Sequence, residues 1–331
     1  NVPEADYFFQ YSKATEKQLA AGELLASALD LEALRLVADA LPFDAAHRKK
    51  LDQFAPKGRF EKVVLKWSGE ASAPQTYAAR LKFSDVNVAA VDDLPGLAGM
   101  NGEIEANQNG GSLTLDNKAS EISLGNIFAQ PLKLDSLSTL TTWKKTDNKT
   151  EVNIEKLAFA NADTSGQLSG KFSKQNKAAG VLDLKSNFSG LNAADIHRYI
   201  PIKAGEELRD WLKTSLKSGR AENIALDLKG NLAEFPFASE KEGLFRISAK
   251  IVNADLDYAQ RWPKVEKIYG DFLLNGKRLE IRASDGVIAN GKIQQANAII
   301  ADLNSRDTVL TLDAKITGAV DKILQTQDAR D

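Results

Sequence analysis

Few side chains in this sequence are spaced for covalent chemistry. There are two histidines, His47 and His197, each in a stretch of helical spacing with no second histidine or acid at the interval a metal ion needs. Both read as structural or surface residues. Cysteine is absent, which removes thiol nucleophiles, disulfides and thiolate zinc sites together. Paired acids stand at Asp92-Asp93 and Glu206-Glu207. The first pair precedes a Leu-Pro turn, and the second falls in the first turn of a helix, where carboxylates favour the positive end of the dipole. The motifs H-E-x-x-H, G-x-S-x-G, S-x-x-K and G-x-x-x-x-G-K-[ST] do not occur. Two N-G-K triplets, at 275–277 and 290–292, lack the Ser or Thr that would follow in a phosphate loop and read as hairpin turns. The chain reads as a non-enzyme with no catalytic residue, no metal and no cofactor.

What remains is the chemistry of surfaces, and composition narrows it. A chain of 331 residues, 43% hydrophobic, is long enough to bury a sizeable core in two domains. The net charge of −2 comes from 43 basic and 45 acidic residues spread along the chain rather than gathered in runs, so nucleic acid is excluded as a partner. No signal peptide and no continuous apolar run of membrane-spanning length is present. Beginning at Asn1 and closing on QTQDARD, the sequence reads as a piece cut from a longer chain.

Two kinds of element must position whatever surface the chain offers. From Ala5 to Ala55 the apolar spacing is helical: Leu34, Val37 and Leu41 follow a capping Asp30, Pro42 interrupts, and Asp44 caps a second helix carrying Leu51 and Phe54. From Arg59 the period changes to two. Strands follow at 77–83, 102–106, 112–115, 137–143, 151–159, 166–172 and 181–188, punctuated by the turn signals QNGG, TDNK and KQNKAAG. Connections that short join antiparallel neighbours, so the strands form a meander. Helical spacing returns where Asn192 caps a segment with Ile196, Tyr199 and Ile200. Pro201 ends that segment, and a second helix carries Leu208, Trp211, Leu212 and Leu216 until Gly219 closes it. Strands then run to about Ile316.

The order helix, proline, helix, Gly-Arg, strands therefore occurs twice. Gly58-Arg59 answers to Gly219-Arg220, 161 residues on, and Val63, Leu65 and Trp67 fall on Ile224, Leu226 and Leu228. Tyr77, Ala79, Leu81 and Phe83 fall on Phe245, Ile247, Ala249 and Ile251 at an offset of 168, which also carries Pro95 onto Pro263. Collinear matches of this kind indicate a duplicated unit. The expected organisation is a helical lead at 1–57, a first antiparallel β-groove repeat at 58–190, a second helical lead at 191–218 and a second β repeat at 219–331. The fold class is mainly β with helical inserts.

Alternation gives every strand one apolar face. In the first repeat that face carries Val63, Leu65, Trp67, Tyr77, Leu81 and Phe83, then Ile104, Leu113 and Leu115. In the second it carries Ile224, Leu226, Leu228, Phe245, Ile247 and Ile251, then Phe272, Leu274, Leu279 and Ile281. Such a face either packs on a second sheet, as in a sandwich, or curves into a trough open to a ligand. Alternation alone separates neither reading. A strand of five or six residues spans about 17–20 Å, close to one leaflet's acyl depth of about 15 Å.

Three stretches carry a family resemblance: LRDWLKTSLKSGRAENIALDLKGNLAEFPF at 208–237, ADLDYAQRWPKVEKIYGDFLLNGKRLEI at 254–281 and DDLPGLAGMNGEIEANQNGGSLTLD at 92–116. They resemble the YhdP proteins of the AsmA-like superfamily. The resemblance implies a segment of a Gram-negative envelope protein, anchored in the inner membrane and extending through the periplasm. It further implies repeating β-grooves like those of bridge-like lipid transfer proteins, phospholipid as cargo and inner- and outer-membrane components as partners. The nineteen apolar residues above would then line the lipid groove. The competing expectation is a structural or protein-binding β scaffold with a closed apolar core.

Overall fold

The structure, a computed structural model, describes residues 5–36, 45–92, 94–176, 178–237, 239, 241–260 and 262–318. Val37, Leu41, Pro42, Asp44, Asp93 and the side chain of His47 lie outside the described residues. Contacts divide the chain into unit 1, Asn1–Ala162 with Ser173–Asn176, and unit 2, Asp163–Phe172 with Lys177–Asp331. Sixteen strands are formed among the described residues, and their order in the sheet is their order in the chain.

Unit 1 holds β1 (Tyr7–Ser12), β2 (Ala21–Asp30), β3 (Lys57–Glu70), β4 (Ala73–Val88), β5 (Gly96–Asn107), β6 (Gly110–Ser123), β7 (Leu132–Lys145) and β8 (Lys149–Ala160). Helices α1 (Leu31–Leu36) and α2 (Ala45–Phe54) lie between β2 and β3. After β9 (Ser165–Gln175), unit 2 continues with β10 (Val181–Asn192), α3 (Glu206–Ser215), β11 (Leu216–Asn231), β12 (Gly243–Leu256), β13 (Val265–Asn275), β14 (Arg278–Ile288), β15 (Gly291–Ile300) and β16 (Leu310–Thr317). Each neighbouring pair from β1 to β8, and from β10 to β16, is antiparallel. The turn chemistry agrees with the sequence. Ala289 and Asn290, both at positive φ (48° and 66°), make the two-residue link from β14 to β15 that a primed turn requires.

Four expectations are corrected. The helical reading of residues 5–55 fails over β1 and β2. The segment AGELLASALD is rich in helix formers, yet it pairs along β3 with Leu24 opposite Leu65 and Ala26 opposite Val63, and such cross-strand packing overrides propensity. Among the described residues of this stretch, helix is formed at α1 and α2, with Asp30 accepting from the Ala33 N–H at 2.9 Å as the expected cap. In unit 2 the segment Ala193–Tyr199 is 3₁₀ rather than α-helical, and Asn192 makes no capping bond. Its Oδ1 instead accepts from Arg220 Nη1 at 2.9 Å. Gly219 does not close a helix: α3 ends at Ser215, and Gly219 lies inside β11 at φ 103°. Finally, β3 to β8 and β10 to β14 run 11 to 16 residues, longer than the expected spans.

Strands this long are interrupted by bulges, where a residue with a side chain takes positive φ: Lys62 in β3, Asp85 in β4, Asn223 in β11 and Asn253 in β12. A bulge bends its strand and increases the local twist. Lys62 and Asn223 are 161 residues apart, as are Gly58 and Gly219; Asp85 and Asn253 are 168 apart, as are Gly99 and Lys267. The backbone irregularities thus recur at the offsets that separate the side-chain patterns. In unit 1 the core is the cluster Met100, Leu134 and Leu137, with Phe83, Val86, Leu97 and Ile122 packed against it.

Candidate functional site

Register shows which side chains share a face, because residues directly opposite one another on antiparallel strands point the same way. In unit 1, Leu65 stands between Leu24 and Ala79, and Trp67 between Gly22 and Tyr77. The row continues from Leu81 to Ile104 to Leu113, and from Phe83 to Gly102 to Leu115. It passes on through Thr141 and Thr139 to Ile154 and Leu157. In unit 2, Leu228 stands between Leu184 and Phe245, and Leu226 between Ser186 and Ile247. Ile247 leads to Leu274, Leu279 and Ile300, and Ala249 leads to Phe272, Ile281 and Ala298. Val63 and Ile224 lie two positions from Leu65 and Leu226, and Ile251 two from Ala249. The nineteen expected residues therefore fall on one face of their own unit.

That face is neither closed like a sandwich core nor fully open. Val63 is buried at 5% exposure, and the other eighteen are all half-buried. The opposite face is polar. Lys66 pairs with Glu23 at 3.0 Å, Arg80 with Glu103 at 3.1 Å and Glu105 at 2.9 Å, and Lys229 with Asp183 at 3.2 Å. Exposed pairs of this kind add little stability, but they identify the solvent side. A row of half-covered aliphatic and aromatic groups backed by a charged face is a surface on which hydrocarbon gains about 25 cal/mol per Å² buried.

Alternation misses some of this face. Phe60 has the even parity of the polar side, yet it stands opposite Phe83 because the bulge at Lys62 inserts one residue. Thr139 and Thr141 were invisible for another reason: in LSTLTTW the two faces differ little in polarity. The bulges also set up side-chain acceptors for freed amides. In unit 1 Asn87 Oδ1 accepts from the Gly99 N–H at 3.1 Å, Asn101 Oδ1 from Asp85 N–H at 3.0 Å, and Asn117 Oδ1 from Asn101 N–H. In unit 2 Asp255 takes the place of Asn87, accepting from the Lys267 N–H at 2.9 Å and from Ser218 Oγ at 2.6 Å. The Ser218 bond, followed by the Lys267 amide, holds the Asp255 carboxyl below the ordinary carboxylate range.

The other residues considered for chemistry do not converge. His197 Nδ1 lies 2.8 Å from the Ala194 carbonyl oxygen, and Glu206 and Glu207 occupy the first turn of α3. Trp211 on α3 is 42% exposed and donates from Nε1 to the Tyr258 carbonyl at 3.2 Å. Among the described residues no cluster of His, Asp and Glu is placed to hold a metal ion, and no helix is long and apolar enough to cross a membrane.

Comparison with known proteins adds an independent line. A family model described as "YhdP protein" matches residues 1–329. The "Intermembrane phospholipid transporter YhdP" of Escherichia coli (strain K12) is 21% identical over 267 residues, covering 80% of this chain and 21% of its own length. The chain thus spans about a fifth of the curated relative it matches. No solved structure matches it.

Proposed function

Because the chain belongs to the YhdP family, we propose that it is a periplasmic segment of a bridge-like lipid transport protein. In this reading phospholipid acyl chains lie on the apolar faces of β2–β8 and β10–β15, and lipid moves between inner and outer membrane by sliding, with no covalent step. The carrying observation is the half-buried state of eighteen of the nineteen lining residues, since a closed scaffold would bury them. A face of this kind on a protein exposed to water is a site of interaction. Membrane components at either end are further partners in this reading, and no catalytic group takes part.

The test is native mass spectrometry of the purified chain, with extraction and identification of bound lipid, on the wild type and on Leu65→Glu and Leu226→Glu. Co-purifying phospholipid that is lost from variants of unchanged circular dichroism supports the conduit. A lipid-free wild type that takes up nothing from vesicles, together with glutamate variants that unfold because a charge has entered a closed core, would establish the scaffold instead.

A further inference from the structure

The turn end of unit 2 has a feature that its apolar face does not require. Between β11 and β12 the chain runs eleven residues, against two between β3 and β4, and this longer loop carries Phe235, Pro236 and Phe237. Phe237 is 4% exposed. Its ring occupies the space over Gly230 and Gly243, which are paired across the hairpin; a Cβ on either glycine would come within 2.7 Å of it. Phe235 packs edge-on against Phe237 at 5.8 Å and against Phe245 at 5.0 Å. The backbone oxygens of Pro236 and Phe237 approach the β13–β14 turn at Gly276.

Beside this cap is a hollow of about 430 Å³, with Phe237 and Phe245 among its walls and Asn275, Lys277, Arg278 and Asp302 around it, a volume in the range of small-molecule sites. The turn that carries Lys277 is tied down: Gly276 N–H donates to the Phe245 carbonyl at 2.7 Å, and Leu303 N–H to the Lys277 carbonyl at 2.9 Å. Asp302 Oδ1 accepts from the Asn304 N–H at 2.7 Å, which fixes the carboxylate at the rim, whereas the two cations are only loosely committed. Lys277 lies 4.0 Å from Asp302, and Arg278 lies 3.9 Å from Glu280, at the limit of an ion pair and partly exposed. Phe245 belongs both to this hollow and to the apolar face, opposite Leu228.

We propose that this hollow is a headgroup site for an amine-bearing zwitterionic phosphodiester, an inference that rests on the lipid-binding reading above. Its phosphate meets Lys277 and Arg278, as charge-assisted bonds to phosphate favour, and its ammonium meets Asp302. A headgroup with phosphate but no amine leaves Asp302 facing an anion. The acyl chains continue past Phe245 onto β11–β14, and the Phe235–Phe237 cap shields the junction.

The test uses the whole chain, incubated with vesicles containing equimolar dioleoyl phosphatidylethanolamine, phosphatidylglycerol and diacylglycerol, with bound species counted by native mass spectrometry. Phosphatidylethanolamine should exceed phosphatidylglycerol in the wild type, and Asp302→Asn should erase that preference. The double variant Lys277→Gln/Arg278→Gln should lower uptake of both phospholipids about tenfold while leaving diacylglycerol unchanged. Diacylglycerol uptake with headgroup preferences indifferent to all three substitutions would overturn the headgroup site and leave the groove standing. Uptake of no species would overturn the groove itself. Inorganic phosphate that binds the wild type, is lost in the double variant and leaves phospholipid uptake unaltered would reassign the hollow to free phosphate.

Discussion

The turn ends of the two units meet the same packing demand by different routes. In unit 1 the strands themselves supply the aromatic cover: the Trp67 ring occupies the space over Gly22, and the Trp143 ring that over Gly111. Trp67 is matched in unit 2 by Leu228, and the cover comes instead from Phe237, brought in by the longer loop and seated on Gly230 and Gly243. The offset between the units, 161 residues up to Gly69 and Gly230 and 168 from Tyr77 and Phe245, locates seven added residues in that loop. A large ring over a neighbouring glycine restores packing that the glycine forfeits. The position of the ring is held in common, whereas the segment that carries it is not.

Removing the ring from the loop is the most severe way to break this comparison. Phe237→Ala should destabilise unit 2 by about 3–5 kcal/mol, the range for a buried Phe. Phe235→Ala, at 46% exposure, should cost about 1 kcal/mol or less, in keeping with partial burial. Amide exchange resolved along β11 and β12 reads both, and equal effects would mean that Phe237 is no anchor. A smaller effect tests what is common to the units. Gly102 and Gly270 occupy equivalent positions on the apolar face, and a Cβ at either would lie 2.2 Å from a backbone oxygen of the next strand. Gly102→Ala and Gly270→Ala should each cost about 1–3 kcal/mol, as overpacking does, seen in urea unfolding followed by unit-resolved exchange. Gly270 should cost more, because its next contacts, Ala283 Cα at 2.8 Å and the Arg282 carbonyl carbon at 2.9 Å, are backbone, whereas those of Gly102 are the side-chain ends of Phe83 and Leu115.

How far the sequence discloses this architecture depends on which force decides each element. Period-two alternation identified the strands from β3 onward and grouped the nineteen apolar residues that share a face in their units, because a half-buried sheet leaves its pattern in every second residue. It failed at β2, where AGELLASALD has a helix former's composition and is held extended by its partner strands β1 and β3. Phe60 was missed because the bulge that turns it inward sits at a lysine, Lys62, which carries no glycine signal. The headgroup hollow joins the loop before β12 to residues after β15, a convergence that no local spacing records.

The bulge acceptors separate the units by acid response. Asn87 and Asp255 hold equivalent amides, those of Gly99 and Lys267, but only Asp255 titrates. Its folded pKa is depressed, so its contribution is complete above the ordinary aspartate value, about 3.9, and is lost as the pH falls through the lower folded value. Exchange at the Lys267 amide should accelerate across that window relative to the Gly99 amide. Asp255→Asn should bring the two profiles together. An unchanged acid profile in the variant would place the sensitivity elsewhere.

The finest contrast lies at the first bulge of each unit, where Lys62 and Asn223 both stand at φ 51°. A left-handed backbone brings Cβ toward the following carbonyl, a cost asparagine bears better than lysine because its short amide bonds locally. Lys62→Asn should therefore stabilise unit 1, and Asn223→Lys should destabilise unit 2, each by about 0.5–1 kcal/mol. The side chain at 62 is exposed, so no lost packing offsets the change. If both substitutions proved neutral in urea unfolding, the bulge would be held by the ladder on either side of it and the residue there would be indifferent. Opposite signs of similar size would show that the two units share one backbone geometry at this bulge, and that unit 1 carries its strain while unit 2 does not.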